Sequence, residues 1–202
     1  MKKAIFFSGP HGSGKTTLIK RLIEETHSGI CFRENVLDIN FLSEFPSIKL
    51  MNDFERCLLR FYHRSFVANY VLSDFPVMQK NTCTLVSRSI YDSYAYIDVY
   101  QKLGRFATNE QKILSDVLDG NSITPYTVIL NPPIDIIMQR LKKRSDMHER
   151  DDRKQVFSNE DSLEFVTALH NSFEKMKNYD NVLYIENNEM KDISRIIGWV
   201  LK

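Results

Sequence analysis

The sequence predicts an α/β protein with a mainly parallel sheet. Three observations carry that expectation. Five short apolar, often β-branched runs alternate with longer stretches whose apolar residues recur at helical spacing, the pattern of strand–helix–strand units. The first run leads directly into a glycine-rich loop and then a helix. A chain of 202 residues suits one domain, residues 1–202, and is long enough to bury a sizeable core.

Strand one, residues 3–8 (KAIFFS), is short and apolar. Residues 16–25 then place Leu18, Ile19, Leu22 and Ile23 at helical spacing. Between them, Gly9-Pro10-His11-Gly12-Ser13-Gly14-Lys15-Thr16-Thr17 fits G-x-x-x-x-G-K-[ST]. Glycines let backbone N–H groups turn inward around phosphate oxygens. Lys15 brings a point charge to the β/γ-phosphates, and the Thr16 hydroxyl suits Mg²⁺. The following helix aims its N-terminus at the same anion. An ordinary glycine-rich turn is the alternative, and the strand–loop–helix order argues against it.

Strand two covers residues 29–33 and runs into Phe32-Arg33-Glu34-Asn35. Residues just past a strand's carboxyl end border the ligand crevice of an open α/β sheet, which makes Arg33 and Glu34 site candidates. A solvated loop pair is the competing reading. Residues 41–51 contain Pro46 and read as irregular or briefly helical. A long helix follows from residue 52 to about 73. Leu58, Tyr62, Phe66 and Tyr70 form its apolar stripe, and Arg60, His63 and Arg64 share another face, preferred as a solvated basic one.

Strand three, residues 81–87, ends at Ser87, and residues 88–96 open another helix. Phosphate-loop proteins often carry a carboxylate at the end of this strand to assist Mg²⁺. Here Glu34, Asp92 or water has to compensate. Residues 108–118 form a helix closed by Asp119-Gly120 and Pro125. Strand four covers residues 126–130, and Pro132-Pro133 then sit at a helix start, where the missing N–H costs little. Ile136, Ile137, Arg140 and Leu141 continue that helix.

Residues 140–153 are the most charged part of the chain. A solvated loop is one reading. The other is a lid, at about residues 142–157, whose arginines close over transferred phosphate, since a guanidinium fork binds phosphate oxygens bidentately. Ser158, with Asp161 three residues later, reads as a capping-box variant opening a helix with Leu163, Val166, Leu169, Phe173 and Met176 on its apolar stripe. Strand five covers residues 181–185. A terminal helix with Ile193, Ile196, Ile197 and Val200 covers the sheet.

Bulk properties narrow the function classes. No apolar run is long enough to span a membrane. The N-terminus begins like a secretory signal, but its apolar run is short and enters the phosphate loop, so a cytoplasmic protein is expected. Cys31, Cys57 and Cys83 lack metal-ligand spacing and read as buried, reduced thiols. A net charge of +1 gives no global attraction to nucleic acid or anionic lipid. Neither D-x-x-G nor N-K-x-D occurs, so a GTPase switch fits poorly.

The assembled pattern resembles the thymidylate kinase and deoxynucleoside kinase group of P-loop phosphotransferases over most of the chain. Phe32-Arg33-Glu34 is similar to the strand-two motif in which a deoxynucleoside kinase glutamate serves as base toward the 5′-hydroxyl. Leu58-Leu59 with Arg64 is similar to the thymidylate kinase helix that contacts thymine. Arg88 with Ser93, Ala95 and Tyr96 resembles the thymidylate kinase D-R-Y region, and Arg88-Ser89-Ile90-Tyr91 resembles the E-R-S segment of deoxynucleoside kinases. Leu130-Asn131-Pro132-Pro133 with Arg140 and Arg144 resembles the strand and lid of both, and residues 163–174 the post-lid helix of deoxynucleoside kinases. The departures are His11 where thymidylate kinases carry an acid, Ser87 for the acid before Arg88, Asn35 for a proline, and no counterpart of the base-reading glutamine on the helix at 52–73.

The resemblance implies a three-layer P-loop kinase fold with a five-stranded parallel sheet of order 2-3-1-4-5, an Arg-rich lid and often a homodimer. It implies ATP and Mg²⁺, with a small-molecule nucleotide or nucleoside as acceptor. The leading expectation is phosphoryl transfer to a nucleoside monophosphate, dTMP first. Residues Gly9, Pro10, His11, Gly12, Ser13, Gly14, Lys15, Thr16 and Thr17 hold the ATP phosphates, with Mg²⁺ on Thr16. Arg88 and Arg33 hold the acceptor phosphate, and Phe32, Arg64, Ser93 and Tyr96 complete the acceptor site. Arg140, Arg144, Arg150 and Arg153 are the lid arginines. The alternative is a deoxynucleoside kinase, whose neutral hydroxyl acceptor needs a base, Glu34. A non-catalytic nucleotide-binding module, supported by Ser87, is the alternative of another class.

Overall fold

All five residues of strand β1, Ala4–Ser8, are buried, as expected of a strand covered on both faces. In the computed structural model, which describes residues 1–24, 29–34, 46–73, 81–148, 157, 159–186 and 190–202, β1 is the centre of a five-stranded sheet. The others are β2 (Cys31–Glu34), β3 (Thr82–Ser87), β4 (Thr127–Leu130) and β5 (Val182–Ile185). The order is β2-β3-β1-β4-β5 and every pairing is parallel. Phe7 stands opposite Ser87 on one side and Val128 on the other, so the carboxyl ends of the three central strands are level.

Alternation along the strands feeds two cores. Ile5, Phe7, Cys83, Leu85, Val128 and Leu130 pack against Leu18, Ile19 and Leu22 of α1 (Lys15–Glu24) and against Ile193, Ile196 and Val200 of α7 (Met190–Leu201). On the other face Phe6 and Val86 pack against Val67, Ala68 and Val71 of α2 (Asp53–Leu72). Ile129 joins α3 (Ile90–Lys102) and α6 (Leu163–Glu174), with Leu114 of α4 (Thr108–Asp119) behind them. Ile137 and Leu141 of α5 (Ile134–Asp146) meet Val166 of α6. No described helix is long and apolar enough to cross a membrane.

Helix α2 corrects two expectations. Its apolar stripe faces outward: Tyr62, Phe66 and Tyr70 are 60%, 61% and 47% exposed. The inward face carries Cys57, Arg60, Phe61, Val67, Ala68 and Val71. The basic face is therefore not solvated. Arg60 is buried against Glu160, and Arg64 is partly buried against Ser93, partners supplied from elsewhere in the chain. Helix α6 corrects a third. It starts at Leu163 with Ser162 as its cap, accepting from Phe165 N at 3.2 Å, while Ser158 lies outside the described residues. Cys31 is exposed rather than buried. Cys57 and Cys83 are buried, and burial pushes both thiols up to about 12.

Candidate active site

The phosphate loop follows β1 and precedes α1, and its geometry demands glycine at its first position. Gly9 has φ +137°, and a Cβ there would meet the Leu130 carbonyl oxygen at 2.1 Å. The loop thus lies against the end of β4. Lys15 crosses back over the loop, donating to Gly9 O at 2.7 Å, Pro10 O at 2.8 Å and Ser13 Oγ at 3.1 Å. Arg140, on α5, donates to Ser13 O at 2.7 Å and Gly12 O at 3.3 Å. A cleft of about 130 Å³ remains, lined by loop residues His11, Gly12, Gly14, Lys15, Thr16 and Thr17 together with Ser87, Arg88 and Arg144.

Asp92 organises the floor beside this cleft. It is fully buried in the first turn of α3. Its Oδ2 accepts from Ser89 N at 2.9 Å, closing a capping box, and from Ser8 Oγ at 2.7 Å. Its Oδ1 accepts from Arg88 Nη1 at 2.8 Å. Arg88 itself adopts φ +75°, a conformation that a side chain this size rarely takes. Such strain marks a position fixed by its surroundings, here the bonds to Asp92 and, at 3.4 Å, to Gly9 O.

The cluster is cationic. Burial pushes the Lys15 ammonium well below its ordinary range, and Arg88 pushes it further. Burial also pushes the Arg64 guanidinium down to about 10. Burial alone would raise the Asp92 carboxyl, but Arg88, Arg64 and Lys15 outweigh it and hold it below the ordinary carboxylate range. Buried and half-buried cations around one carboxylate, beside the phosphate loop, are suited to a polyphosphate.

A family model described as Deoxynucleoside kinase matches residues 5–196. This chain belongs to the deoxynucleoside kinase family. It is a P-loop kinase, and the family backs a nucleoside acceptor better than the dTMP expected first. No curated protein sequence matches. Among solved structures, deoxyadenosine kinase from M. mycoides with bound dATP is similar at 16% identity and TM-score 0.66 over all of both chains. The same enzyme with bound dCTP gives 17% and 0.64 over 98% of each chain. Its form with the products dCMP and a flexible dCDP gives 16% and 0.66, again over 98% of each.

In this kinase the predicted site residues distribute unevenly. The loop, Arg88 and Arg144 meet at the cleft. Arg140 braces the loop's backbone from behind, and Arg150 and Arg153 lie outside the described residues. Arg64 and Ser93 meet each other at 2.8 Å. Tyr96 is buried and its hydroxyl lies 2.9 Å from His11 Nδ1. Glu34 and Arg33 are exposed at the end of edge strand β2. Phe32, expected at the acceptor, is buried in the core with Leu18 and Leu22, because alternation turns it toward α1.

Sequence reasoning missed two residues. Glu160, with 2% exposure, accepts from Tyr100 Oη at 2.6 Å and meets Arg60 at 3.5 Å. Asp161, read as a helix cap, instead faces His11 at 3.1 Å. The signal available was two successive acids beside a charged segment, which alone points to solvent.

Proposed function

We propose that this kinase transfers the terminal phosphoryl group of ATP to the 5′-hydroxyl of a deoxynucleoside. The observation that carries the reading is the cationic cluster of Lys15, Arg64 and Arg88 around Asp92, set beneath the phosphate loop. Family membership favours a hydroxyl acceptor over a monophosphate.

The reaction needs positioning and charge stabilisation more than covalent help. The acceptor oxygen bonds to the γ-phosphorus, the bond from that phosphorus to the β-bridging oxygen breaks, and ADP leaves. The hydroxyl proton passes to Glu34. Asp92 is unsuited to receive it: its oxygens are committed to Ser8, Ser89 and Arg88, and its carboxyl is held below the ordinary range. Glu34 is exposed at the carboxyl end of β2, where a substrate can reach it. Lys15 and the loop amides hold the ATP phosphates. Arg144, which lines the cleft, and Arg88 face the charge that develops on the transferred group.

Thr16 and Ser87 both line the cleft, and their hydroxyl oxygens are the hard donors that Mg²⁺ takes alongside waters and phosphate oxygens. The donor set therefore fits Mg²⁺ arriving with the nucleotide, on Thr16 first. Bound there, the ion neutralises phosphate charge.

The test is ADP release from ATP against deoxynucleosides and their monophosphates, with Lys15→Ala as the blank. Deoxyadenosine and deoxycytidine head the panel, because the similar solved structures hold dATP, dCTP and dCMP. Turnover with a deoxynucleoside is expected, and Glu34→Gln should lower its kcat by about 10²-fold or more. Turnover with monophosphates alone would overturn the acceptor assignment. ATP binding without acceptor-dependent ADP release would favour the non-catalytic alternative.

A further inference from the structure

Three parts of the chain that are far apart in sequence meet at His11. Its ring, 4% exposed, sits in the middle of the phosphate loop. Nδ1 lies 2.9 Å from the Tyr96 hydroxyl on α3. Nε2 lies 3.1 Å from Asp161 Oδ1 in the turn before α6. The Tyr96 and Phe165 rings flank the imidazole, each with its centroid 6.4 Å away.

That turn is itself pinned to the opposite wall. Glu160 is bound by Tyr100 at 2.6 Å and meets Arg60 at 3.5 Å. The Arg60 guanidinium lies 4.4 Å from the Phe157 ring centroid and 5.8 Å from that of Tyr96. The contacts close on themselves: His11 to Tyr96, Tyr96 to Arg60, Arg60 to Glu160, and back through Asp161. Phosphate binding by backbone amides requires no side chain at the His11 position. A buried imidazole held on both nitrogens therefore has a different task.

We propose that His11 is a positioning residue that fastens the phosphate loop, through Asp161, to the turn following the charged segment, so that the loop amides hold one arrangement before nucleotide arrives. The imidazole suits this because its two nitrogens engage two elements at once, and either the neutral Nε2–H form or the imidazolium keeps the Asp161 contact. The nucleotide part of the proposal rests on the proposed function, whereas the fastening of the loop does not.

The test uses Asp161→Ala, Asp161→Asn, His11→Phe and His11→Gln in the full chain, with two readouts. Amide hydrogen exchange of residues 9–14 without nucleotide reports the loop. ATP affinity by calorimetry, with KM and kcat where turnover exists, reports its use. Asp161→Ala should raise loop exchange by about tenfold and raise KM for ATP by a similar factor, with kcat changed by less than about threefold. His11→Phe, which keeps an aromatic ring but also removes the Tyr96 contact, should loosen the loop at least as much. The double variant should be no worse than His11→Phe alone, since that change already removes the contact to Asp161. His11→Gln and Asp161→Asn, which keep polar contacts, should recover most of the loss. Loop exchange unchanged in Asp161→Ala would overturn the proposal, as would additive single effects. A wild-type chain that binds no ATP would sink the nucleotide reading instead, and the exchange measurement would still decide the fastening.

Discussion

Asp92 and Glu160 are both buried carboxylates, one fully and the other with 2% exposure, yet their surroundings differ in charge. Asp92 faces Arg88 directly, with Lys15 and Arg64 close enough to depress its carboxyl. Among the described residues, Glu160 meets the Arg60 guanidinium and the neutral Tyr100 hydroxyl. Among the described residues the first cluster carries more cation than anion, and a buried excess of one sign is costly unless a counter-ion arrives. The second, among the described residues, sets one guanidinium against one carboxylate. Charge balance, more than burial or hydrogen bonding, separates the cluster suited to a ligand from the one that holds the fold together.

Asp92→Asn should produce the largest effect. It removes the Asp92 charge from beside Arg88 and raises the local positive charge, which should cost about 3 to 5 kcal/mol of stability. An anion should restore part of that loss, so ATP or sulfate should raise the melting temperature of the variant more than that of the wild type. Equal shifts would mean that the cluster is not an anion site. The acid limb gives a second check. The Asp92 carboxyl is lowered from 3.8, so its contribution is present above the unfolded value and is lost as pH falls through the folded one. The stability gap between wild type and variant should hold near neutrality and close below about pH 4.

Glu160→Gln comes next and should behave in the opposite way toward ligands. It removes the Glu160 charge from beside buried Arg60, although the guanidinium keeps its place over Phe157. A loss of about 2 kcal/mol is expected, since the pair is long and one hydrogen-bond acceptor survives. ATP and sulfate should stabilise this variant no more than the wild type. Selective rescue by sulfate would place an anion site here too and erase the contrast.

The two clusters were unequally legible in the sequence. The phosphate loop is local: strand, glycines, lysine and helix follow one another, whereas the close approach of Gly9 to Leu130 comes only from the fold. The sheet order came from resemblance to a fold. The second cluster is non-local. Arg60 on α2 finds Glu160 across the chain, and that pairing lets the helix bury its basic side and turn Tyr62, Phe66 and Tyr70 outward. Periodicity located the helix but could not orient it, because orientation depended on a partner the periodicity does not contain. Asp161 failed in the same way: a local capping rule placed it at a helix start, whereas a buried histidine claims it.

Tyr100→Phe makes the smallest and cleanest change. The ring packs against Phe165 at 5.4 Å and Phe106 at 5.8 Å between centroids, and phenylalanine preserves both contacts. Only the 2.6 Å hydrogen bond to Glu160 is removed. Glu160 raises the Tyr100 hydroxyl's pKa in addition to burial, so the phenol stays protonated and donates at every working pH. Its loss removes a short hydrogen bond from a buried carboxylate whose contact to Arg60 is long, a cost of about 1 to 2 kcal/mol. That corresponds to a drop of roughly 2 to 8 °C in melting temperature for a chain of this size. Activity with the best acceptor should stay within about twofold at a temperature well below the transition, as expected of a bond that stabilises the folded state without touching the reacting groups. A large fall in kcat with little change in melting would mean that Glu160 acts in the reaction rather than in the fold.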